Sequence, residues 1–349
     1  MHLLVFRFSA MGDVALTVPV IRGVLRQNPA LRITLVTPKF FAPFFNEIPR
    51  LNLVHPDFKG LHKGVKGLFL LYKQLSSENN FDGVVDLHNV LRSKILSLFF
   101  KVSGKQIATV DKDRRLKKQI IKGCSNKALM PQWMRYANVF KNYGINFSSD
   151  NEVGIIPDSE ACNQVSILPE MVQSSGKMRI GIAPFAKHKL KMWGIDSTKE
   201  LISMLQNDNT EVFLFGGGKE EVEELGVLAS HFDYVNNMAG KISFYQEIAL
   251  ISKMDIMITM DSSNMHIASL VGVPVLSLWF GTHPMVGFSP YGQPDDYSLQ
   301  IPKEELKCRP CTVFGKGECR FNTLECISKL TPQIVYKKIQ ILRQELSLK

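Results

Sequence analysis

The stretch MDSSNMHIASLVGVPVLSLWFGTHP, residues 260–284, contains the signals that decide the fold. A β-rich run ends at Asp261, a helical pattern follows it, and a second apolar run ends at residues 280–282. A strand, a helix and another strand in such close succession are typical of a parallel sheet covered by helices. The sequence therefore predicts an α/β architecture.

The start of the helix in this stretch is a candidate anion site. The hydroxyls of Ser262 and Ser263 come just before the helix. Free backbone N–H groups and the helix dipole at such a point suit a diphosphate. Gly281 and Thr282 allow a second close approach of the backbone at the neighbouring strand end. His266, inside the helix, fits either a phosphate site or a buried structural role.

The same alternation extends over the whole chain and divides it into two series. The first series has predicted strands at residues 3–8, 32–37, 51–55, 83–87 and 106–110, with helices at 14–27, 65–76, 91–102 and 133–143. A polar segment with two prolines, residues 148–177, reads as an interdomain crossing. The second series has strands at 179–183, 211–215, 255–260 and 273–279, with helices at 197–206, 220–230, 243–252 and 264–271.

Two such series predict two doubly wound, Rossmann-like parallel-sheet domains that face each other across a cleft. We place the first domain at residues 1–165 and the second at 166–330. Thr331 and Pro332 mark the start of a final helix, because threonine is a good N-cap and proline suits the first helical position. We expect this helix, residues 331–349, to pack back on the first domain. Ligands of such sheets bind at the carboxyl ends of the strands.

The composition of the chain indicates which kinds of partner and which cellular compartment to expect. The chain has 349 residues, a formal charge of +10 and a pI of about 9.2, which favour an acidic partner. Much of the excess lies at residues 59–73 and 112–122, where solvated surface charge is the alternative. Arg7 interrupts the N-terminal apolar run, so no signal peptide is predicted. The longest apolar stretch, residues 265–280, is broken by His266, Gly272 and Pro274. We expect a cytoplasmic protein with at most peripheral contact at the inner membrane.

The segment FSAMGDV, residues 8–14, joins the first strand to the first helix. Asp13 stands at or next to the start of that helix, where a capping role is the simpler interpretation. The alternative is a general base, because this point is a strand's carboxyl end. Residue spacing does not choose between the two roles.

Taken together, these segments resemble the ADP-heptose:lipopolysaccharide heptosyltransferases, the family-nine glycosyltransferases with a GT-B fold. The opening FSAMGDVALTVPVI is similar to that family's strand, loop and helix. Residues 260–284 are similar to its Asp-Ser/Thr-Gly-x-x-His segment and its Gly-x-Thr-x-Pro loop. Lys191 and Trp193 match a Lys-x-Trp motif, and residues 218–220 match a Gly-x-Glu motif. The resemblance extends from residue 1 to about residue 345.

The resemblance implies a role for each matching residue in an inverting transfer of a sugar. Asp13 would be the catalytic base, and Lys191 would neutralise the donor diphosphate. Asp261 would contact the donor's sugar hydroxyls, and Glu220 the ribose. The resemblance also implies donor contacts from Ser9, Gly12, Trp193, Ser262, Ser263, His266, Gly281 and Thr282. No metal or other cofactor is implied. Ser263 departs from the family, which usually has glycine there.

The acceptor side is predicted from clustered cations in the first domain. Lys63 and Lys66 lie in a basic stretch, and Arg92 and Lys94 follow the strand that ends at residue 87. An acceptor carrying carboxylates and phosphates, such as a lipopolysaccharide core, suits them. The apolar residues 68–71 beside them are interpreted as helix core rather than a membrane face. No nucleic-acid partner is expected.

Four cysteines crowd into a short C-terminal stretch and leave three alternatives open. They are Cys308, Cys311, Cys319 and Cys326. Reduced thiols that pack a loop are the simplest interpretation. The others are a structural zinc site, although the spacing is looser than in zinc ribbons, and disulfides. Two rival functions also remain at this stage, a nucleotide-sugar 2-epimerase on the same fold and a non-catalytic nucleotide-sugar-binding protein.

Overall fold

A computed structural model describes residues 1–148 and 154–347 of the chain. The chain divides into two compact units. The first unit comprises Met1–Asp113 and Met130–Ile156, and the second comprises Arg114–Leu129 and Pro157–Lys349.

The first unit contains a five-stranded parallel sheet in the order β3-β2-β1-β4-β5. Its strands are β1 (His2–Phe6), β2 (Arg32–Val36), β3 (Leu51–Val54), β4 (Gly83–Asp86) and β5 (Gln106–Thr109). Its helices are α1 (Met11–Ala15), α2 (Val18–Gln27), α3 (Gly64–Glu78), α4 (Leu91–Val102) and α6 (Gln132–Asn142). In the central strands β1 and β4, nearly every residue is buried, as expected when helices cover both faces of a sheet.

The second unit contains a six-stranded parallel sheet in the order β11-β10-β9-β6-β7-β8. Its strands are β6 (Met178–Ala183), β7 (Thr210–Leu214), β8 (Val235–Asn237), β9 (Ile256–Met260), β10 (Val275–Trp279) and β11 (Ser298–Gln300). Its helices are α5 (Arg114–Ile121), α7 (Ser159–Ser166), α8 (Pro169–Gln173), α9 (Ile195–Leu205), α10 (Lys219–Ala229), α11 (Phe244–Ile251), α12 (Ser263–Leu270), α13 (Glu325–Ser328) and α14 (Pro332–Ser347).

The prediction of two doubly wound parallel-sheet domains is confirmed, with local differences. The helix expected over residues 14–27 is interrupted between α1 and α2. Pro19 stands in the first turn of α2, and the Thr17 hydroxyl donates to the Val14 carbonyl, 2.6 Å away. Because proline fits a first turn but not a helix interior, a new helix begins here. The short edge strands β8 and β11 were not predicted.

The segment interpreted as an interdomain crossing is largely helical where the structure describes it. Helices α7 and α8 occupy much of residues 157–177, and α7 packs against α11 of the second unit. The Asp158 carboxylate caps α7 by accepting from the Ala161 N–H at 2.9 Å. The boundary therefore follows Ile156 instead of residue 165, and residues 149–153 of the expected crossing lie outside the described residues.

The final helix belongs to the second unit, so the expectation that it packs on the first domain is wrong. Val335, Ile339 and Leu342 form one apolar face of α14, and all three are fully buried in the core of the second unit. Asp208 fixes the same helix, because it accepts from the Tyr336 hydroxyl and pairs with Arg343 at 3.0 Å. Among the described residues, no helix is both long and apolar enough to cross a bilayer.

Candidate active site

Each sheet has one point where the strand order reverses, and several of the predicted site residues lie beside these points. In the first unit the reversal lies between β1 and β4, and in the second between β6 and β9. Loops that leave the carboxyl ends of two such strands diverge and leave a crevice, which is where open α/β sheets bind ligands. Asp13 follows β1, whereas Lys191 and Asp261 follow β6 and β9.

Asp13 is held by two partners from the first unit. Its Oδ2 atom lies 2.8 Å from an Nη atom of Arg7, and its Oδ1 accepts a hydrogen bond of 3.1 Å from the Tyr136 hydroxyl. Arg7 is itself buried and donates to the Leu87 carbonyl at 2.7 Å. The side chain of Asp13 remains 26% exposed, so a ligand can reach a carboxylate whose orientation is fixed.

The capping interpretation of Asp13 is wrong. Ala10 is the N-cap of α1, and Asp13 stands inside the first turn, where its side chain makes no capping hydrogen bond. The carboxylate instead turns to Arg7 and Tyr136. Burial raises the pKa of Tyr136, and nearby Arg7 opposes that rise, so the phenol keeps its proton and acts as a donor.

His88 and Ser9 complete the polar edge at this reversal point. The Ser9 hydroxyl lies 3.4 Å from Nε2 of His88, and Ser9 is exposed. His88 is 8% exposed, and burial together with Arg7 lowers its pKa to about 3, so the imidazole is neutral near pH 7. Asp86 fixes the loop by accepting from the His88 and Asn89 N–H groups, each at 2.8 Å. Sequence reasoning did not select His88, although a histidine just after a central strand was a usable signal.

The four cations predicted for the acceptor are exposed residues of the first unit. Lys63 precedes α3, Lys66 lies in its first turn, and Arg92 and Lys94 lie in the first turn of α4. The Arg92 guanidinium stacks over the Phe58 ring at 4.2 Å, a cation–π contact that restrains it and leaves its N–H groups able to donate to an anion. The acceptor role of these residues stays a prediction.

In the second unit, Lys191 and Asp261 form an ion pair at the reversal point. The Lys191 ammonium lies 2.8 Å from Oδ2 of Asp261 and also donates to the Asp261 carbonyl at 3.2 Å. The same Oδ2 accepts from the Thr282 hydroxyl at 2.8 Å. Residues that follow β6, β9 and β10 are thus joined by one carboxylate. The two side chains of the ion pair are 15% and 5% exposed, respectively.

The start of α12 leaves its helix N–H groups without a side-chain cap. Ser262 is the N-cap residue, yet its hydroxyl makes no capping hydrogen bond, and it is buried without a partner among the described residues. Ser263 is the first residue of the helix, and His266 is buried one turn later. Uncapped N–H groups beside a buried hydroxyl form an environment that attracts an anion.

Gly281 and Trp193 are held by contacts inside the second unit. A Cβ atom at Gly281 would lie 2.9 Å from Cβ of Leu190, so only glycine allows this close approach of the two loops. Trp193 is 3% exposed and its indole N–H donates to the Leu330 carbonyl at 2.7 Å. These contacts are structural, and the donor contact expected from Trp193 has no support in this placement.

The remaining predicted donor residues lie apart from these contacts. Gly12 is inside α1 of the first unit. Glu220 is exposed in the first turn of α10, after the glycine run 216–218 that follows β7. The neighbouring Glu221 accepts from the Gly217 N–H at 2.8 Å and so fixes that loop. The ribose contact of Glu220 stays a prediction.

Sequence reasoning missed Arg309, a buried cation behind the end of β10. Its guanidinium donates to backbone carbonyls of Trp279 at 2.8 Å, Thr282 at 3.0 Å and Ile301 at 2.6 Å, and also to that of Phe280. Burial lowers the pKa of Arg309 to about 10, so the group stays charged at neutral pH. Its sequence neighbours are cysteines and a proline, and no periodicity marks it.

All four clustered cysteines are free and line one cavity of the second unit. In the described parts of the chain, no group of three or more His, Cys, Asp or Glu side chains is arranged to hold a metal ion. Burial and the neighbouring Cys308 raise the pKa of Cys311 to about 11, and burial also raises that of Cys326. The described side chains therefore form no preassembled metal site, and the zinc hypothesis gains no support from their arrangement.

Two doubly wound parallel sheets in one chain are the arrangement of the GT-B fold. A model of glycosyltransferase family 9 (heptosyltransferase) matches residues 69–315. The chain belongs to this family, and it is a glycosyltransferase.

Similar proteins match this chain over most or nearly all of its length. The chain is 27% identical over 308 residues to the lipopolysaccharide core heptosyltransferase OpsX of Haemophilus influenzae, covering 84% of this chain and 83% of the relative. A family 9 glycosyltransferase structure from Veillonella parvula has a TM-score of 0.76 at 18% identity, covering 99% and 97% of the two chains. The structure of E. coli heptosyltransferase WaaC with ADP-2-deoxy-2-fluoro heptose has a TM-score of 0.67 at 18% identity and covers 97% and 99%. These structures support the GT-B fold.

Proposed function

We propose that this glycosyltransferase moves a heptose from ADP-heptose to a lipopolysaccharide core or a related surface glycan, with inversion at the anomeric carbon. The observation that carries the donor half of the proposal is the Lys191–Asp261 ion pair beside the uncapped start of α12. Family membership supports the reaction class, and the names of the relatives support the sugar and the acceptor.

On the donor side, the proposal gives the diphosphate to Lys191 and the α12 N-terminus. Charge that develops on the leaving nucleotide would be stabilised by the ammonium and by helix N–H groups that carry no cap. Ser262 and Ser263 would add hydroxyl donors. Asp261 would turn from Lys191 to the hydroxyls of the sugar. The base of the nucleotide and the ribose contact of Glu220 belong to the same proposal.

On the acceptor side, Asp13 is proposed as the general base. Arg7 and Tyr136 orient its carboxylate, and about a quarter of the side chain is accessible. This accessibility supports a role in which Asp13 would take a proton from an acceptor hydroxyl. Exposed Lys63, Lys66 and Arg92, together with Lys94, would bind carboxylates or phosphates of the acceptor. We place the enzyme in the cytoplasm, with peripheral contact at the membrane face that would carry a glycolipid.

A thermal-shift titration with ADP-heptose, ADP, UDP, GDP and dTDP tests the donor. At about 100 times its Kd, a ligand adds about 2.7 kcal/mol of apparent stability. We expect ADP and ADP-heptose to stabilise the protein selectively. Preference for another nucleotide would overturn the ADP-heptose assignment, and no stabilisation by any of them would favour a binding protein of another kind.

A transfer assay with two variants tests the chemistry. Asp13→Asn should keep stabilisation by ADP and lose transfer by about 10²–10⁴-fold, because the side chain keeps its size and loses its basicity, together with its charge toward Arg7. Lys191→Ala should lose about 10²–10³-fold and also bind the donor more weakly. Asp233→Asn and Lys253→Ala, both at exposed positions, are the matched controls. Donor turnover without acceptor would point instead to an epimerase.

A further inference from the structure

Helix α4 carries an apolar stripe that faces solvent. Leu91, Ile95, Leu98 and Val102 recur at the spacing of one helix face. Leu91 is 77% exposed, Leu98 is 55% and Val102 is 82%, whereas Ile95 is partly buried. The opposite face of α4, with Leu96 and Phe100, already supplies the core of the first unit. Leu91, Leu98 and Val102 therefore add little to the core of the first unit, whereas Ile95 packs against it.

The neighbouring helix α3 extends this stripe into a continuous face. Val65 is 60% exposed and Phe69 is 43% exposed. The Phe69 ring packs against the ring of Phe99, with 5.4 Å between the centroids, and Phe99 is the partly buried neighbour of Leu98 in α4, so the two exposed rows lie on either side of this contact. We name the set Val65, Phe69, Leu91, Leu98 and Val102 the α3–α4 face. The expectation that residues 68–71 are all helix core is half right, since Leu68 and Leu71 are buried but Phe69 and Leu70 are exposed.

Positive charge predominates around the α3–α4 face, and Glu78, at the end of α3, is the one acidic residue of the two helices. Residues 58–77 and 87–110 contain no aspartate or glutamate. The same two ranges contain eight basic residues, Lys59, Lys63, Lys66, Lys73, Arg92, Lys94, Lys101 and Lys105. Apolar side chains bordered by lysines and arginines are the pattern of surfaces that lie in the interface of an anionic bilayer. A second copy of the chain would bring like charge against like charge.

We propose that the α3–α4 face docks on the surface of a bilayer rich in anionic phospholipid. The exposed apolar side chains would enter the boundary between headgroups and acyl chains, and the lysines would contact lipid phosphates. The reason for docking, which is to bring the enzyme to a membrane-anchored acceptor, rests on the proposed function. Binding to the bilayer is inferred only from the exposed apolar residues of the α3–α4 face and the basic residues around it.

A line of stacked groups connects this face to the candidate acceptor site. Arg92 stacks over Phe58, and the Phe58 ring meets the edge of Phe8 at 4.8 Å. Phe8 precedes Ser9 and also contacts His88 edge-on at 5.3 Å. The docking face therefore borders the carboxyl end of β1 within the same unit. A glycan anchored in the bilayer would meet the side of the unit that carries Asp13.

Vesicle sedimentation of the full chain tests this proposal. We expect the protein to sediment with vesicles containing phosphatidylglycerol, to stay in solution with pure phosphatidylcholine vesicles, and to be released by salt. Leu98→Asp with Val102→Asp, and separately Lys73→Glu with Lys101→Glu, should each weaken binding on the order of tenfold or more. Val227→Asp, at a residue 64% exposed in the second unit, and Lys219→Glu with Lys253→Glu are the matched controls.

Thermal melts first establish that each variant is folded. The proposal would be overturned if the folded wild type did not bind anionic vesicles. It would also be overturned if the two double variants bound these vesicles as well as the wild type does. A concentration-dependent dimer that Leu98→Asp with Val102→Asp dissociates would overturn it too, since the face would then bind a second copy. Transfer to a detergent-dispersed acceptor should survive that pair of substitutions. If the wild type itself did not transfer heptose, the proposed function would fail. The docking proposal would still stand, because vesicle binding is measured without the reaction.

Discussion

The hydroxyl of Tyr136 donates a hydrogen bond to the Asp13 carboxylate across 3.1 Å, although 123 residues separate the two in sequence. The phenol comes from α6, at the end of the first unit's chain, and the carboxylate from α1, near its start. The interior of this unit thus fixes the orientation of a side chain that meets solvent.

Tyr136→Phe should slow turnover without disrupting the fold. The variant keeps the buried ring and removes one of the two groups that orient Asp13, so we expect kcat to fall roughly tenfold, with donor KM unchanged. Loss of one hydrogen bond should lower the free energy of unfolding by about 1 kcal/mol. Steady-state kinetics and chemical denaturation measure both quantities. Tyr143→Phe, which removes a hydroxyl bonded to the Asp82 carbonyl, is the control. Unchanged kcat would mean that Arg7 alone orients the base.

Replacing Arg309 should lower stability and weaken donor binding, because its guanidinium holds the backbone next to Asp261. Arg309→Met removes the donor from the carbonyls of Trp279, Phe280, Thr282 and Ile301, and we expect the free energy of unfolding to fall by about 2–4 kcal/mol. Because Thr282 holds Asp261, the donor KM should rise while the acceptor KM stays constant. Arg309→Lys keeps the charge and should restore part of both quantities. Arg32→Met, at an exposed position, is the matched control. A stability loss with a normal donor KM would make Arg309 purely structural.

His88 should make the protein sensitive to mild acid. Its folded-state pKa is lowered to about 3 from an ordinary value of 6.5, first by burial and then by Arg7. Below pH 6.5 the unfolded chain binds a proton that the folded chain does not, so stability is lost as the pH falls. Between pH 6.5 and pH 5 this amounts to about 2 kcal/mol.

Urea denaturation of wild type and His88→Gln across that pH range measures the contribution of His88. We expect a shallower pH dependence in the variant, and no change in slope for the exposed His231→Gln. Parallel curves for wild type and His88→Gln would show that the imidazole is already protonated in the folded state.

Lys63 and Lys66 should act on the acceptor alone. The combined change Lys63→Ala with Lys66→Ala removes two exposed charges, and we expect the acceptor KM to rise roughly three- to tenfold, as is typical of exposed ion pairs. The donor KM and the melting temperature should stay constant. Lys219→Ala with Lys253→Ala is a matched pair from the second unit. An unchanged acceptor KM would remove these lysines from the acceptor site.

Local patterns predicted most helices and strands of the two units. Alternation of apolar runs located nine of the eleven strands in the part of the chain that the structure describes, because buried parallel strands are mostly continuous and apolar. It missed β8 and β11, which have three residues each and lie at the sheet edges. The resemblance selected Lys191, Asp261 and Thr282, and the structure joins all three through one carboxylate.

Contacts that depend on distant segments were beyond local patterns. Arg7 entered the sequence argument only as a break in an apolar run, yet it is the ion-pair partner of Asp13. Arg309 hydrogen-bonds to backbone carbonyls, which have the same chemistry at every residue, so no partner residue marks it in the sequence. The final helix was assigned to the wrong unit because an apolar stripe shows that a helix is buried but not against which core it packs.

The resting pair of Lys191 and Asp261 also has a consequence for discrimination. Each charge already has its partner at 2.8 Å, so the pair presents little net charge to an incoming anion. A ligand that brings only phosphates would draw Lys191 away and leave Asp261, 5% exposed, with Thr282 as its only remaining side-chain donor among the described residues. A ligand that brings phosphates and sugar hydroxyls together satisfies both groups at once. The intact donor would therefore bind in preference to inorganic phosphate and to the nucleotide product, which lack the sugar hydroxyls. After transfer, the ion pair between Lys191 and Asp261 would form again and favour release of the nucleotide.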